Sequence, residues 1–282
     1  MVPIIDAHTH FFDPARPAGV PWPAADDEVL YRTTLPEHFR AVASPHGVHQ
    51  TVVVEASAWL EDNQWILDLA ARDSDRSIVG FVGHIEPDDP DYTSHLDRFR
   101  ANPLFRGLRL SSDLVDGPRD ALVEACRELL QRDLSVDLLV NGEQLSVVAE
   151  LCAALPDLHV VLDHVAHVAI DGAAPNAGWL RGVEALADSA NVYCKISGLV
   201  ECSVPQQAPE NADFYRPTLD ALWRHFGDRR LLYASNWPVC GKRAPYAAVF
   251  GVVDEYLQGQ DESVRERVLG ANTVDAYRLS SS

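Results

Sequence analysis

The first ten residues carry two histidines at a spacing suited to chemistry. Residues 4–10 read Ile-Ile-Asp-Ala-His-Thr-His, so an apolar start is followed by Asp6, His8 and His10 at intervals of two. Side chains of a β-strand alternate between its faces, and this spacing predicts that all three project to one side. Two adjacent imidazoles can hold a metal ion or stabilise a developing oxyanion. Asp6, one step deeper, is predicted to hydrogen-bond a ring N–H and fix its tautomer.

The rest of the chain alternates between apolar β-branched runs and amphipathic helical stretches. Near-continuous Val, Ile and Leu in a strand is typical of a sheet that is buried on both faces. About eight strand–helix units predict an α/β fold, a (β/α)8 TIM barrel formed by residues 1–282 as one domain. An open doubly wound sheet is the alternative, but no glycine-rich phosphate loop follows the first strand. The strands predicted after the first are 51–55, 78–84, 105–110, 136–140, 158–164, 191–197 and 231–235.

The carboxyl ends of barrel strands meet at one mouth, so the polar residues at these ends are candidates for the site. Imidazole, guanidinium and ammonium groups together suit a substrate with carboxylate or carbonyl oxygens. Arg109 is predicted to clamp such an oxygen. Glu55 and His84 fit water-facing loop positions equally well, and Lys195 is alternatively an interior charge paired with Glu55 or Glu201. The candidates are His8, His10, Glu55, His84, Arg109, Asp163, His164, Lys195, Ser197, Ser235 and Asn236.

Composition limits the kinds of partner. The formal net charge is −19, which argues against nucleic acid and against anionic membrane surfaces and leaves a small molecule as the expected partner. No secretory leader and no bilayer-length apolar stretch is expected. The five cysteines are odd in number and lack CxxC spacing, so reduced thiols and a cytoplasmic location are predicted. No pattern indicates the oligomeric state.

Five short segments together resemble the amidohydrolase superfamily, and more narrowly its lactonase branch, which includes fuconolactonase and the pyrone-dicarboxylate hydrolases. The resemblance implies a distorted barrel and a carboxylic ester hydrolase that opens a lactone or cleaves a related bond. With this reading, the predicted catalytic residues are His8, His10, His164 and Asn236, and the predicted substrate-binding residues are Arg109, Lys195, Glu55, His84 and Trp237. The segments are Asp-Ala-His-Thr-His at 6–10, Gly-Leu-Arg at 107–109, Leu-Asp-His at 162–164, Lys-Ile-Ser-Gly-Leu at 195–199 and Ser-Asn-Trp-Pro-Val at 235–239.

One position departs from the resemblance. The family usually ends strand eight with Ser-Asp-Trp-Pro, and that Asp takes a proton from the attacking water, whereas this chain has Asn236. A carboxamide is not basic near neutral pH, so Asn236 can only orient water or donate to a carbonyl. His164 or a strand-one histidine is then the predicted base. His8, His10 and His164 could still hold Zn²⁺, but strand five offers no further histidine, so a metal is predicted to be weakly held and not required.

The leading hypothesis is therefore hydrolysis of a small lactone, derived from a sugar acid or an aromatic breakdown product. A metal-dependent decarboxylase of the same superfamily is one alternative. A catalytically silent barrel that binds a metabolite is another. The segment 11–31 is rich in proline and aromatic residues and is predicted to form a packed lid over the mouth. Specificity is expected to depend on this segment, on the loop after the sixth strand and on residues 201–215.

Overall fold

A computed structural model describes residues 2–280, and its centre is a sheet of eight parallel strands in sequential order. Each strand pairs with the next along the chain, which confirms the predicted (β/α)8 TIM barrel. Most strands lie within three residues of the predicted bounds. The strands are β1 (Ile4–Thr9), β2 (Val48–Val54), β3 (Ile78–Gly83), β4 (Phe105–Leu110), β5 (Ser135–Leu138), β6 (Val160–Leu162), β7 (Val192–Ile196) and β8 (Leu231–Tyr233).

The barrel is nearly closed by contacts between β1 and the residues that follow β8. The Asn236 N–H donates to the His8 carbonyl at 3.0 Å, and the His10 N–H donates to the Trp237 carbonyl at 2.9 Å. Thr9 and Trp237 form a parallel bridge. These bonds place the first and last predicted catalytic segments side by side at the carboxyl-terminal mouth.

Helices cover the outside of the barrel, and most of them bury an apolar stripe. In the helix Arg119–Gln131, for example, Leu122, Cys126 and Leu129 are fully buried. A π-helical turn, Arg267–Ala271, joins the last two helices. None of the helices described between residues 2 and 280 is long and apolar enough to cross a membrane. The helices are α1 (Pro36–Ala43), α2 (Leu60–Arg72), α3 (Tyr92–Arg100), α4 (Ser112–Asp116), α5 (Arg119–Gln131), α6 (Leu145–Ala154), α7 (Ala177–Ala185), α8 (Ala212–Phe226), α9 (Tyr246–Tyr256), α10 (Glu262–Glu266) and α11 (Asn272–Ala276).

Candidate active site

Strand β1 contains an irregularity that separates Asp6 from the two histidines. Asp6 pairs with Thr51 and Thr9 pairs with Val53, so β1 uses one residue more than β2 across this interval. Such a bulge interrupts the alternation of side chains between faces. Asp6 accepts hydrogen bonds from the His8 N–H at 3.1 Å and the Ser235 N–H at 2.9 Å.

Asp6 also accepts a hydrogen bond from the Tyr246 hydroxyl at 3.1 Å, and within residues 2–280 no imidazole is bonded to it. The prediction that Asp6 fixes a histidine tautomer is therefore wrong, because three other donors take its oxygens. Burial raises the pKa of Asp6 to about 6, against the lowering effect of its hydrogen bonds to Ser235, His8 and Tyr246. Asp6 joins β1 to the start of the β8 loop and so holds the mouth together.

Three imidazoles meet at the mouth. The Nε2 atoms of His8 and His10 are 3.2 Å apart, and the ring centres of His8 and His164 are 4.4 Å apart. His10 Nδ1 lies 2.9 Å from the Val54 carbonyl, so this nitrogen carries the proton that is donated. His164 Nδ1 lies 2.8 Å from the Ser197 hydroxyl. With Nδ1 engaged in both rings, each Nε2 is left to face a ligand.

His8 rests on a buried charge network. Lys195 Nζ lies 3.0 Å from His8 Nδ1, 2.8 Å from Asp163 Oδ1 and 2.5 Å from Asp137 Oδ2. Tyr277 donates to the same Asp137 carboxylate at 2.9 Å. His8 Nδ1 also lies 3.3 Å from Asp163, so it can accept from the ammonium or donate to the carboxylate. The tautomer of His8 is thus set by this pair of neighbours.

The network explains the opposite behaviour of its two carboxylates. Burial raises the pKa of Asp137 to about 6, although the Lys195 ammonium acts against it. For Asp163 burial also raises the pKa, but the charges of Lys195 and His8 outweigh it and hold the pKa well below its usual range. Lys195 is fully buried and pairs with Asp137 and Asp163, not with Glu55 or Glu201 as the sequence allowed. It lies beneath the histidines, and its predicted contact with substrate stays a prediction.

Burial leaves the three histidines neutral near pH 7. It lowers the pKa of His10 to about 4, with a further contribution from the Arg109 charge. The pKa values of His8 and His164 are lowered well below 6.5 for the same principal reason. Imidazoles with such values are weak proton acceptors, although they remain good ligands and hydrogen-bond partners. A histidine as general base, as the sequence predicted, is therefore disfavoured by this burial.

The loop after β6 positions His164 through an unusual backbone. His164, Val165, Ala166 and His167 all have positive φ, between 45° and 51°. Left-handed backbone costs a non-glycine residue roughly 1–2 kcal/mol, and such strain is concentrated at functional sites. The Trp179 indole N–H donates to the Val165 carbonyl at 2.9 Å and helps to hold this turn.

A cleft of about 550 Å³ opens over the histidines. Pro21 and Trp22 from the predicted lid form part of its wall, and the ring centres of Trp22 and His10 are 5.9 Å apart. Four of the predicted site residues do not line this cleft: His8 and Lys195 are fully buried, Trp237 is buried, and His84 forms an ion pair with Glu86 at 2.9 Å. The wall is lined by His10, Pro21, Trp22, Glu55, Ala56, Ser57, Ala58, Arg109, Leu139, His164, His167, Glu201, Asn236 and Val239.

Arg109 and Glu55 reach the cleft wall as an ion pair. The Arg109 Nε and Nη2 atoms donate to Glu55 Oε1 at 2.8 and 2.6 Å, and Nη2 also donates to the Glu55 carbonyl at 3.1 Å. Burial alone would lower the pKa of Arg109, but the Glu55 carboxylate raises it. The positive charge predicted to clamp the substrate is thus already compensated, and the pair offers both donors and acceptors to the cleft.

Asn236 joins the histidines to a carboxylate that sequence reasoning missed as a site residue. Its Oδ1 lies 3.3 Å from His10 Nε2, and its Nδ2 donates to Glu201 Oε1 at 2.7 Å. In the sequence, Glu201 was identified only as a partner for Lys195 and as the first residue of the specificity segment 201–215. The missing carboxylate at Asn236 was the available signal, because it raised the question of which nearby acidic residue replaces it.

The donor set at the mouth fits a divalent metal. The ligand atoms of His8, Asp163 and His164 all lie within 4.8 Å of one another, and His10 Nε2 is next to His8. Imidazole and carboxylate ligands suit Zn²⁺, and the Nδ1 contacts of His10 and His164 are of the kind that orient metal-binding histidines. Asp163 was absent from the predicted ligand set, and its pairing with Lys195 competes with any role as a ligand.

A parallel barrel with an imidazole cluster at its carboxyl-terminal mouth is typical of (β/α)8-barrel enzymes, whose active sites lie at this face. The sequence model of the amidohydrolase family matches residues 5–279, and the chain belongs to this family of hydrolases. The resemblance inferred from the five segments is thereby confirmed.

Individual relatives agree with this assignment. The chain is 31% identical over 290 residues to an L-fucono-1,5-lactonase of Burkholderia ambifaria, and the match covers 98% of this chain and 95% of that protein. It is 28% identical over 288 residues to an L-fucono-1,5-lactonase of Burkholderia multivorans, with 98% and 96% covered. A crystal structure of a Burkholderia multivorans amidohydrolase with bound Zn has a TM-score of 0.85 and 27% identity, with 98% and 99% covered.

Proposed function

We propose that this protein opens the lactone ring of a small sugar acid by attack of water, assisted by the histidine cluster. The observation that carries the proposal is the cleft in which neutral His10 and His164 face the same space as Asn236. Two relatives named L-fucono-1,5-lactonase support a sugar-acid lactone over one derived from an aromatic compound. The partner is then a small metabolite, without nucleic acid or membrane, and the location is cytoplasmic.

The wall of the cleft suits a polyhydroxylated substrate. The Arg109–Glu55 pair presents guanidinium donors beside a carboxylate acceptor, and sugar hydroxyls require both. Trp22 provides an apolar face for the C–H side of a sugar ring. A dicarboxylate would fit less well, because Glu55 already neutralises Arg109 and would repel a second anion.

The histidines hold and polarise the reacting groups. Their lowered pKa values keep them neutral. His10 carries its proton on Nδ1, so its Nε2 can accept a hydrogen bond from water, whereas His164 in the tautomer protonated at Nε2 can donate to the lactone carbonyl. A donor at that carbonyl stabilises the oxyanion that forms when water attacks. Lys195, buried beside His8, acts on that ring and sets its tautomer.

A divalent metal is compatible with this site. The related structure with bound Zn supports this. In the present chain His8 and His164 would hold the ion together with His10, whose Nε2 is 3.2 Å from His8 Nε2. When bound, the ion supplies Lewis-acid polarisation of a carbonyl oxygen. We propose that it is weakly held and not required, because the strand-eight carboxylate of the family is replaced by Asn236.

The test is hydrolysis of a panel of sugar-acid lactones, followed by a pH indicator that reports the acid released. We expect saturable hydrolysis by the native chain and loss of at least ~100-fold in kcat/KM for His10→Ala, since a group in contact with the reacting atoms is removed. His49→Ala is the matched control because His49 is exposed at the start of β2. Absence of turnover on every lactone would overturn the proposed function.

A further inference from the structure

Glu201 lies in the wall of the cleft, and its carboxylate has no role in the catalytic steps proposed above. It follows β7 by five residues, in the loop after Ile196, and lies among the residues that line the cleft together with His10, His164 and Asn236. Its Oε1 accepts one hydrogen bond, from Asn236 at 2.7 Å. Its Oε2 is inaccessible and has no hydrogen-bond partner among residues 2–280. A buried oxygen without a donor is satisfied by a proton or by a bound molecule.

The surroundings of Glu201 leave this oxygen unpaired. Arg243 is the charged neighbour, but its Nη2 donates to the carbonyls of Ser203 at 2.9 Å and Pro205 at 2.6 Å instead. Burial raises the pKa of Glu201 to about 7, against the lowering effects of its own backbone N–H, of the hydrogen bond from Asn236 and of the Arg243 charge. The other titratable groups that face it are Cys202 in the same loop, Tyr215 on α8 and Cys240 after β8.

The groups that line the cleft differ in their ability to accept a proton. The three imidazoles are neutral and weakly basic, Asn236 is not basic, and the Arg109–Glu55 pair is internally compensated. Among the acidic residues of the wall, Glu201 therefore differs from Glu55, because within residues 2–280 no cationic side chain is hydrogen-bonded to it. A carboxylate of this kind, one side chain away from the position of the family's aspartate, can take over the proton transfer that Asn236 cannot perform.

We propose that Glu201 is the proton acceptor for the attacking water, and that Asn236 is a positioning residue that holds the Glu201 carboxylate toward the histidines. This inference rests on the proposed lactone hydrolysis. It places the family's carboxylate on the loop after β7 rather than at the end of β8. The two residues then act as one unit, because the Asn236 amide holds the Glu201 carboxylate by Oε1 in the wall of the cleft.

The chemical step balances without a further reactant. The water oxygen forms a bond to the lactone carbonyl carbon, one water O–H bond breaks, and that proton passes to the Glu201 carboxylate. The tetrahedral oxyanion then reforms its C=O bond as the ring C–O bond breaks. The departing ring oxygen takes the proton from the Glu201 carboxyl group, and the product is the open hydroxy acid.

The experiment compares Glu201→Gln with Glu210→Gln on a lactone that the native protein hydrolyses, between about pH 5 and pH 9. Glu210 is an exposed residue of the same loop, so its substitution makes the same chemical change outside the cleft. In the native protein we expect the rate to rise with pH on the acidic side of the pH–rate profile, with an apparent pKa of about 7. In E201Q we expect kcat to fall at least ~100-fold and this acidic limb of the profile to disappear. E210Q keeps the native profile.

Two further variants distinguish loss of the carboxylate from a folding defect. Glu201→Asp retains a carboxylate and is expected to keep the acidic limb at a reduced rate. Glu201→Gly is expected to regain activity when formate is added, because a small carboxylate enters the space left by the side chain. A native-like pH–rate profile in E201Q overturns the role of Glu201. The same conclusion follows if E201D is no more active than E201Q and formate restores no activity to Glu201→Gly. Neither result contradicts lactone hydrolysis by the native protein. A native protein that hydrolyses no lactone overturns both.

Discussion

Asn236 is the residue whose substitution reports most directly on how the proton is handled. In Asn236→Asp the new carboxylate faces Glu201 across a contact that measures 2.7 Å in the native protein. Two carboxylates at this distance cannot both ionise easily, so one keeps its proton to a higher pH. We expect a lower rate at pH 7 and a pH optimum shifted upward. A pH–rate profile on one lactone decides this, and a more active variant with an unshifted profile would contradict it.

Arg109 separates a role in substrate binding from a role in stability. Arg109→Ala removes the donors from the cleft wall and leaves Glu55 unpaired. We expect a loss of about 1.5–3 kcal/mol of transition-state binding, as for a charge-assisted hydrogen bond, measured as kcat/KM. Arg98→Ala serves as the control, because Arg98 forms a similar two-pronged pair with Glu61 on the exposed surface. Unchanged catalysis with a lower melting temperature would show that the Arg109 pair is structural.

The sequence predicted which residues form the site better than it predicted their hydrogen-bond and ion-pair partners. The spacing of His8 and His10 and their approach to His164 follow from strand ends that meet at one mouth. The contacts of Lys195 could not be read in the same way, because Asp137 and Asp163 reach it from β5 and the end of β6. Glu201 was missed as a site residue because a loop residue has no periodic pattern that fixes its direction.

The turn after β6 and the start of the β7 loop form one packed element that aims His164. Gly198 has φ +68°, and a Cβ added there would lie 2.6 Å from His164 Cβ. We expect Gly198→Ala to destabilise the protein by about 2 kcal/mol, from backbone strain and the clash, and to reduce kcat by displacing the imidazole. Thermal unfolding and steady-state kinetics measure the two effects.

Gly241→Ala is the matched control for this turn. Gly241 has no atom within 4 Å of an added Cβ and no positive φ, so activity and stability should be nearly unchanged. Full activity of G198A at native stability would show that the position of His164 does not depend on this packing.

The elements themselves follow from simple patterns, but their irregularities do not. Continuous Val, Ile and Leu located the strands, and amphipathic periodicity indicated helices between them, of which α5 is one. The bulge in β1 depends on register against β2, which a single strand does not encode, and it turned Asp6 away from the histidines. The left-handed residues 164–167 carry no glycine, so composition gave no sign of that backbone.

For the whole molecule, removal of metal tests whether the barrel works through its own side chains. Because Asn236 replaces the family's carboxylate, we expect any divalent ion to be weakly held and lactone hydrolysis to survive dialysis against EDTA. Elemental analysis of the dialysed protein establishes that the ion has been removed. Complete loss of activity that Zn²⁺ restores would contradict this expectation and would assign an essential role to the metal.

The global fold could be predicted because a barrel repeats one unit. Eight alternations of buried strand and amphipathic helix are compatible with few folds, and the order of the strands in the sheet confirms the predicted barrel. Substrate identity could not be predicted, because it depends on the wall formed by Trp22, the Arg109–Glu55 pair and Glu201. These residues come from four separate segments, and only the folded chain shows that they share one surface.

The most direct test of the account is steady-state hydrolysis of L-fucono-1,5-lactone and related sugar-acid lactones by the purified native chain, with the open acid identified by NMR. We predict saturable turnover of at least one such lactone well above its spontaneous opening, with an acidic limb that is lost in Glu201→Gln. No acceleration for any lactone would contradict the account. Release of carbon dioxide from an aromatic carboxylic acid under the same conditions would assign the barrel to decarboxylation instead.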